Sequence, residues 1–252
     1  MTLSYDGLLY MSASFAFFMF VYKYVVSAAL RGCSKAYESL PREKRVGVDT
    51  SLMALLHSTL VGSMALYLFL FSDVITPTVI RQEVPLLKLA VCILVGYIMA
   101  DTSVLVCNPT ADVYDWSMFV HHVICLYTGY AAAVSAELPY YQLQWTLMEL
   151  FNPFNNLRFI LKELGQKTST LYLMNGIALV GMFFLARVAP IPFFWYHLTS
   201  IIQSEDFSGV TFSMKVVALV LSPTMHLLNL FWFYKIFTGL LKYLSTKAEK
   251  KV

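Results

Sequence analysis

The chain has 252 residues, 58% of them hydrophobic and 13% charged, with a net charge of +3 and a mean hydropathy of +0.65. A soluble globular domain carries about 25% charged residues, so this composition excludes an ordinary soluble domain and points to a polytopic membrane protein. The small net charge, with no Lys/Arg-rich run before the tail, argues against nucleic acid as a partner.

About 20 apolar residues cross the hydrocarbon core as a helix. The stretches that qualify, in chain order, are Leu8–Leu30, Thr50–Phe71, Val84–Cys107, Trp116–Ala136, Leu138–Leu161, Leu171–Leu198 and Thr211–Phe237. The first follows a start with no Lys or Arg and is long enough to span, so it reads as a retained helix and not a cleaved signal. The sixth holds Pro190 and Pro192 and is expected to kink near its end. The fold class expected is all-α, a polytopic bundle of about seven transmembrane helices. It divides into a first helix with a basic loop (1–49), a main domain (50–244) and a basic tail (245–252).

Lys and Arg set the orientation. Arg31, Lys35, Arg42, Lys44 and Arg45 fall in the first connection, Lys162 and Lys167 in the fifth, and Lys242, Lys247, Lys250 and Lys251 in the tail. With seven spans these segments share one side, which places the C-terminus in the cytosol and the N-terminus in the lumen. The third connection, Asn108–Asp115, falls on the same side without a basic residue. The last residues, Lys-Ala-Glu-Lys-Lys-Val, are one position out of register with a dilysine retrieval signal and read as a positive flank. The location expected is the endoplasmic reticulum or the Golgi. The four cysteines suggest neither a disulfide framework nor a zinc site.

Ionisable groups inside a membrane are costly and by default face the bundle interior. Here they are His57, Asp101, His121, His122, Glu149, Arg187 and His226. Asp101 lies six residues before Cys107, His122 six after Trp116 and His57 seven after Thr50. At 1.5 Å per residue each is roughly 10 Å inside the cytosolic boundary. Asn156 is at similar depth and His226 somewhat deeper. The fifth span carries Gln142, Thr146, Glu149, Asn152 and Asn156 at three- and four-residue spacing, which gathers them within about 120° of arc. The seventh repeats the pattern with Ser222, His226 and Asn229.

Gln142, Thr146, Ser222 and Asn229 read first as interhelical hydrogen-bonding residues. His57 and His226 each fit a packing role or a ligand role equally. Arg187 reads as a lumenal-half residue that snorkels or meets a lipid head group. Arg158 reads as an anchor at the cytosolic boundary or as a phosphate ligand. The adjacent His121 and His122 point about 100° apart on a helix. With Asp101 and Glu149 on neighbouring helices, one ring can take a proton while a carboxylate orients it, as the activation of an amine or hydroxyl requires. No metal is expected, since the spacing is not that of a metal site.

The segments LMALLHSTLVGSMALYLF, GYIMADTSVLV, FVHHVICLYTGYAA, MELFNPFNNLRFIL and LLNLFWFYKIFTGLLKYL carry a resemblance to the TLC family, named for the TRAM, Lag and CLN proteins. The run from Glu149 to Arg158 is similar to that of the small TLC domain-containing proteins of types 4 and 5. The resemblance covers roughly Thr50 to Leu244. It implies six core helices around a central cavity, preceded by one extra helix. Ceramide synthases of this family transfer a fatty acyl group from acyl-CoA to a sphingoid amine, and their His pair is matched by His121 and His122. Where their next helix carries His-Asp and a second Asp, this chain has Met148-Glu149 and Asn152. The resemblance to the smaller members implies a role in phospholipid composition and lipid trafficking.

Two functions are therefore expected to compete. In the first, the protein acts in lipid homeostasis and binds a lipid or acyl chain, with His57, Asn152, Asn156, Arg158 and His226 as binding residues. In the second it is an acyl-CoA-dependent acyltransferase, in which His122 or His121 is the base or acyl carrier and Asp101 or Glu149 orients it. Membrane lipids are the expected partners and a homodimer is compatible with the chain. No cofactor is expected, acyl-CoA being a co-substrate of the second reading only. A transporter is disfavoured, because no inverted repeat or charge ladder is visible.

Overall fold

The computed structural model of the chain describes residues 5–109 and 116–249. Residues 1–4, 110–115 and 250–252 lie outside them, and with them most of the third connection and the last two lysines of the tail. The described residues are helical, with no strand and one isolated bridge between Arg81 and Glu137. In chain order the helices are α1 (Asp6–Gly32), α2 (Arg42–Phe71), α3 (Pro85–Cys107) and α4 (Trp116–Val134). A composite element follows, made of α5 (Pro139–Leu147), a 3-10 turn (Met148–Phe151) and α6 (Asn152–Glu163). Then come α7 (Thr170–Ile202) and α8 (Phe212–Ser245). All but the composite are long and apolar enough to cross a membrane, as expected of an all-α polytopic membrane protein.

Three prolines shape the helices that surround the interior. Pro153 has no N–H to offer the carbonyl of Glu149. That carbonyl accepts from Asn152 N–H instead, and the helix tightens to 3-10 geometry at Glu149. In α7 a π turn covers Phe184–Val188 ahead of Pro190, with Ala189 N–H reaching back to Phe184 O at 2.8 Å. In α8 a second π turn covers Val217–Leu221 ahead of Pro223, and Ser222 donates from both N–H and Oγ to Val217 O. The kink expected of Pro190 and Pro192 is thus a π turn followed by a fresh helix start at Ile191.

α1 lies along α3 because Gly96 lets the two backbones meet. A Cβ at Gly96 would sit 2.5 Å from Met11 O and 2.5 Å from the Ser14 side chain. Ser14 Oγ donates to Ile93 O at 2.8 Å across the same contact. Small residues at a crossing are the usual means of close helix packing where lipid removes the hydrophobic drive for association. At the end of α1, Asp49 of α2 accepts from Tyr37 Oη at 2.6 Å and from Ser27 Oγ at 2.7 Å. This joins α1, the short helix Lys35–Glu38 and α2.

The two ends of the bundle are fastened differently. At the basic end Glu163 pairs with Lys44 at 3.0 Å and with Lys162 at 2.9 Å, and Tyr243 Oη donates to Lys167 O. At the opposite end the carboxylate of Glu137, 1% exposed, accepts from Thr211 Oγ1 at 2.7 Å, from Thr211 N–H at 3.1 Å and from Arg81 at 3.3 Å. Arg81 also donates to Gly209 O. One side chain thus joins the three connections that meet there.

Candidate functional site

A cavity of about 400 Å³ opens between α2, α3, α4, the composite element, α7 and α8. Its polar wall is built from His57 and Thr50 of α2, Asp101 of α3, His121 and His122 of α4, and Glu149, Asn152 and Asn156 of the composite. Lys235 of α8 also lines it. α1 contributes nothing to the lining and packs outside, against α3.

Two histidine–carboxylate contacts organise this wall. His122 Nδ1 is 3.0 Å from Thr102 Oγ1, and its Nε2 is 3.4 Å from Asp101 Oδ2. Both ring nitrogens are therefore engaged, which fixes the ring between α3 and α4 and favours the tautomer that carries its proton toward the carboxylate. His57 is stacked on Tyr97, with centroids 3.8 Å apart and planes 6° from parallel. Its Nδ1 lies 3.7 Å from Glu149 Oε2. Its Nε2 is buried and meets no hydrogen-bond partner among the described residues. Glu149 Oε2 in turn accepts from Asn152 Nδ2 at 2.7 Å.

A second, narrower cavity of about 50 Å³ adjoins the first. His121, Glu149, Arg187 and Leu94 line both and form the partition between them. Beyond that partition the wall is almost wholly apolar or small. α4 contributes Cys125, Thr128, Gly129 and Ala132, the composite gives Tyr141, Trp145 and Met148, and α8 gives Met214, Ala218 and Met225. Gln142 and Leu138 also line it.

Of the residues singled out in sequence, His57, Asp101, His121, His122, Glu149, Asn152 and Asn156 meet at the larger cavity. Arg158 and His226 do not. Arg158 turns toward α7, where its guanidinium lies 4.0 Å from the Tyr172 ring centroid and donates to Tyr172 O at 3.1 Å. Gly176 supplies the space for it. His226 accepts from Trp195 Nε1 at 3.1 Å and meets the Phe194 edge at 4.8 Å. Arg158 was expected at the site as a boundary cation able to meet a phosphate, and His226 by its depth; neither charge nor depth fixes the neighbour against which a side chain packs.

Arg187 is the reverse case. Read as a snorkelling residue, it is 3% exposed and lies at the partition of the two cavities. It donates from Nε to Met148 O and from Nη1 to Asn229 Oδ1, both at 3.3 Å, and sits over the Phe151 ring at 4.4 Å. The signal was present, since an arginine in an apolar run is expensive unless enclosed. Tyr97 was also missed, though it stands four residues before Asp101 and so on the same helical face.

The arrangement offers a polar chamber with oriented imidazoles beside carboxyl groups, next to a narrow, mostly apolar cavity across a partition that holds both Arg187 and Glu149. Among known proteins, the TLC domain model matches residues 48–238. The chain is 29% identical to TLC domain-containing protein 4-B of Danio rerio over 241 residues, covering 94% of this chain and 90% of that protein. It is 26% identical to TLC domain-containing protein 4-A of Xenopus laevis, covering 95% and 93%. It is 25% identical to TLC domain-containing protein 4 of Homo sapiens, covering 86% and 83%. The match spans the helices that build both cavities, and the chain belongs to the TLC domain family, which is membrane-associated and linked to lipid metabolism.

Proposed function

We propose that this protein acts in lipid homeostasis by holding a single lipid or acyl chain inside the bundle. The polar head occupies the larger cavity and the chain enters the apolar extension. The observation that carries this reading is that two cavities adjoin across His121, Glu149 and Arg187, the larger with a polar wall and the smaller with a mostly apolar one. A polar chamber next to an apolar slot has the amphipathic form of a lipid. By the placement of Lys and Arg, the basic end faces the cytosol, with the N-terminus lumenal, in the endoplasmic reticulum or the Golgi. Membrane lipids are the partners, and no cofactor enters.

A second reading is favoured by the oriented ring of His122, held by Asp101 and Thr102. In it, His122 or His121 serves as general base for transfer of an acyl group from acyl-CoA to a lipid amine or hydroxyl. Native mass spectrometry of the purified protein, before and after incubation with acyl-CoA, tests both. A copurified lipid whose mass is unchanged by the donor supports the binding reading. A new acylated lipid that disappears in His121→Ala and His122→Ala supports transfer. A protein free of any lipid, and unable to take one up, defeats both.

A further inference from the structure

Arg187 lies over the Phe151 ring and shares its partition with Glu149, yet most of its N–H donors are unused among the described residues. Its Nε and Nη1 each donate one hydrogen bond, to a backbone carbonyl and to the neutral side chain of Asn229. Nη2 makes none among the described residues, and no carboxylate lies within ion-pair distance. Two of the five N–H groups of a guanidinium are thus committed. Glu149 lines the same partition and attracts Arg187 without touching it, so among the described residues this membrane-buried cation has no hydrogen-bonded anion, and a bound carboxylate would supply one. Arg187 stands where the polar cavity adjoins the apolar one, so an anion held there has an apolar slot directly behind it.

We infer that the ligand of this site is a free fatty acid, its carboxylate on the guanidinium of Arg187 and its alkyl chain in the apolar cavity. This rests on the lipid-binding reading and names its ligand class. Two features favour a carboxylate over a larger anion. The guanidinium fork matches a carboxylate geometrically. Glu149 lines the same partition and Asp101 the same chamber, so the repulsion on a doubly charged phosphate exceeds that on a single charge. Along α4 the lining residues run from His121 to Ala132, roughly 16 Å at 1.5 Å per residue, but the space between them is only about 50 Å³, so an alkyl chain enters only if the wall opens. Met148, Met214 and Met225 line the slot, and unbranched thioether side chains move aside more readily than branched ones.

The test compares palmitate, hexadecanol and palmitoyl lysophosphatidate as ligands of the purified full chain in detergent at pH 8, by native mass spectrometry and competition. Palmitate should bind the wild type about tenfold more tightly than hexadecanol, as expected of one charge-assisted hydrogen-bonded pair. Arg187→Met should abolish that preference while hexadecanol binding stays. Arg187→Lys, which keeps the charge and loses the fork, should retain part of it. Equal affinity of the wild type for palmitate and hexadecanol overturns the inference and leaves the lipid-binding reading standing. Tighter binding of lysophosphatidate than of palmitate also overturns it. Failure of all three ligands to bind removes the lipid-binding reading as well. Should Arg187→Met fail to fold, because Met148 O and Asn229 lose their donor, the wild-type comparison and Arg187→Lys still decide.

Discussion

His122 Nε2 lies 3.4 Å from Asp101 Oδ2, with the opposite ring nitrogen 3.0 Å from Thr102 Oγ1. α3 thus grips one imidazole of α4 from two successive residues. The ring is held at the cavity wall in one orientation, and the partners act as a unit. Asp101→Ala and His122→Ala are each expected to weaken lipid binding by about tenfold. The double variant should be little worse than either single one. Coupling energies between contacting residues run to about 0.5–3 kcal/mol. Additive losses, measured by titration of a fluorescent fatty acyl probe, would show that the two do not act together.

Pro153 keeps Glu149 in a 3-10 turn by withholding an N–H from its carbonyl. Pro153→Ala restores the donor and lets the composite helix relax toward α geometry, turning Glu149 relative to His57. The expected result is a melting temperature equal to or above that of the wild type with at least a fivefold loss of lipid binding. A variant that binds normally would show that the tightened turn does not matter to the site.

Gly96→Ala places a methyl group 2.5 Å from the backbone oxygen of Met11. Backbone cannot yield as a side-chain tip does, so α1 must move off α3. The cost expected is about 2–3 kcal/mol, read as a lower midpoint of thermal unfolding in detergent. Because α1 does not line the cavity, ligand affinity measured well below that midpoint should change less than twofold.

Glu137 joins three connections through Thr211 and Arg81. Glu137→Ala removes the acceptor of Thr211 N–H and Oγ1, while half-exposed Arg81 keeps Gly209 O, and is expected to cost about 1–3 kcal/mol. Proteolysis of the connections near residues 80 and 210 should accelerate, visible by mass spectrometry of limited digests. An unchanged digest would mean the clasp adds nothing to order at that end.

Burial, and after it the hydrogen bond to Asp49, pushes the Tyr37 hydroxyl up to about 12, against an ordinary value near 10. The fold favours the protonated form. Its contribution is therefore fully present below about pH 10 and is lost as pH rises through about 12. Tyr37→Phe should cost about 1–2 kcal/mol at neutral pH, since Asp49 keeps only its bond from Ser27 there. The gap between variant and wild type in thermal midpoint should close between about pH 10 and 12. A gap that persists at high pH would exclude the Tyr37–Asp49 bond as its source.

Much of the fold was readable without coordinates. A helix of about 20 apolar residues is the simplest way for a backbone to cross hydrocarbon with its hydrogen bonds satisfied, so Leu8–Leu30 and Val84–Cys107 correspond closely to α1 and α3. The interruption at Met148–Phe151 was less legible. Pro153 announced a disturbance somewhere, but its effect falls four residues upstream, where the released carbonyl finds its new donor.

The sequence by itself placed His57, Asp101, His122 and Asn156 at one depth, with His226 somewhat deeper, because rise per residue converts a position in the chain into depth and polar groups avoid lipid. Only the tertiary structure decided which of them touch. It turned Arg158 onto Tyr172 and His226 onto Trp195, and enclosed Arg187 between the two cavities. Depth is a property of one helix and follows from its own residues. Rotation about the helix axis depends on every neighbour against which it packs, and no single helix encodes it.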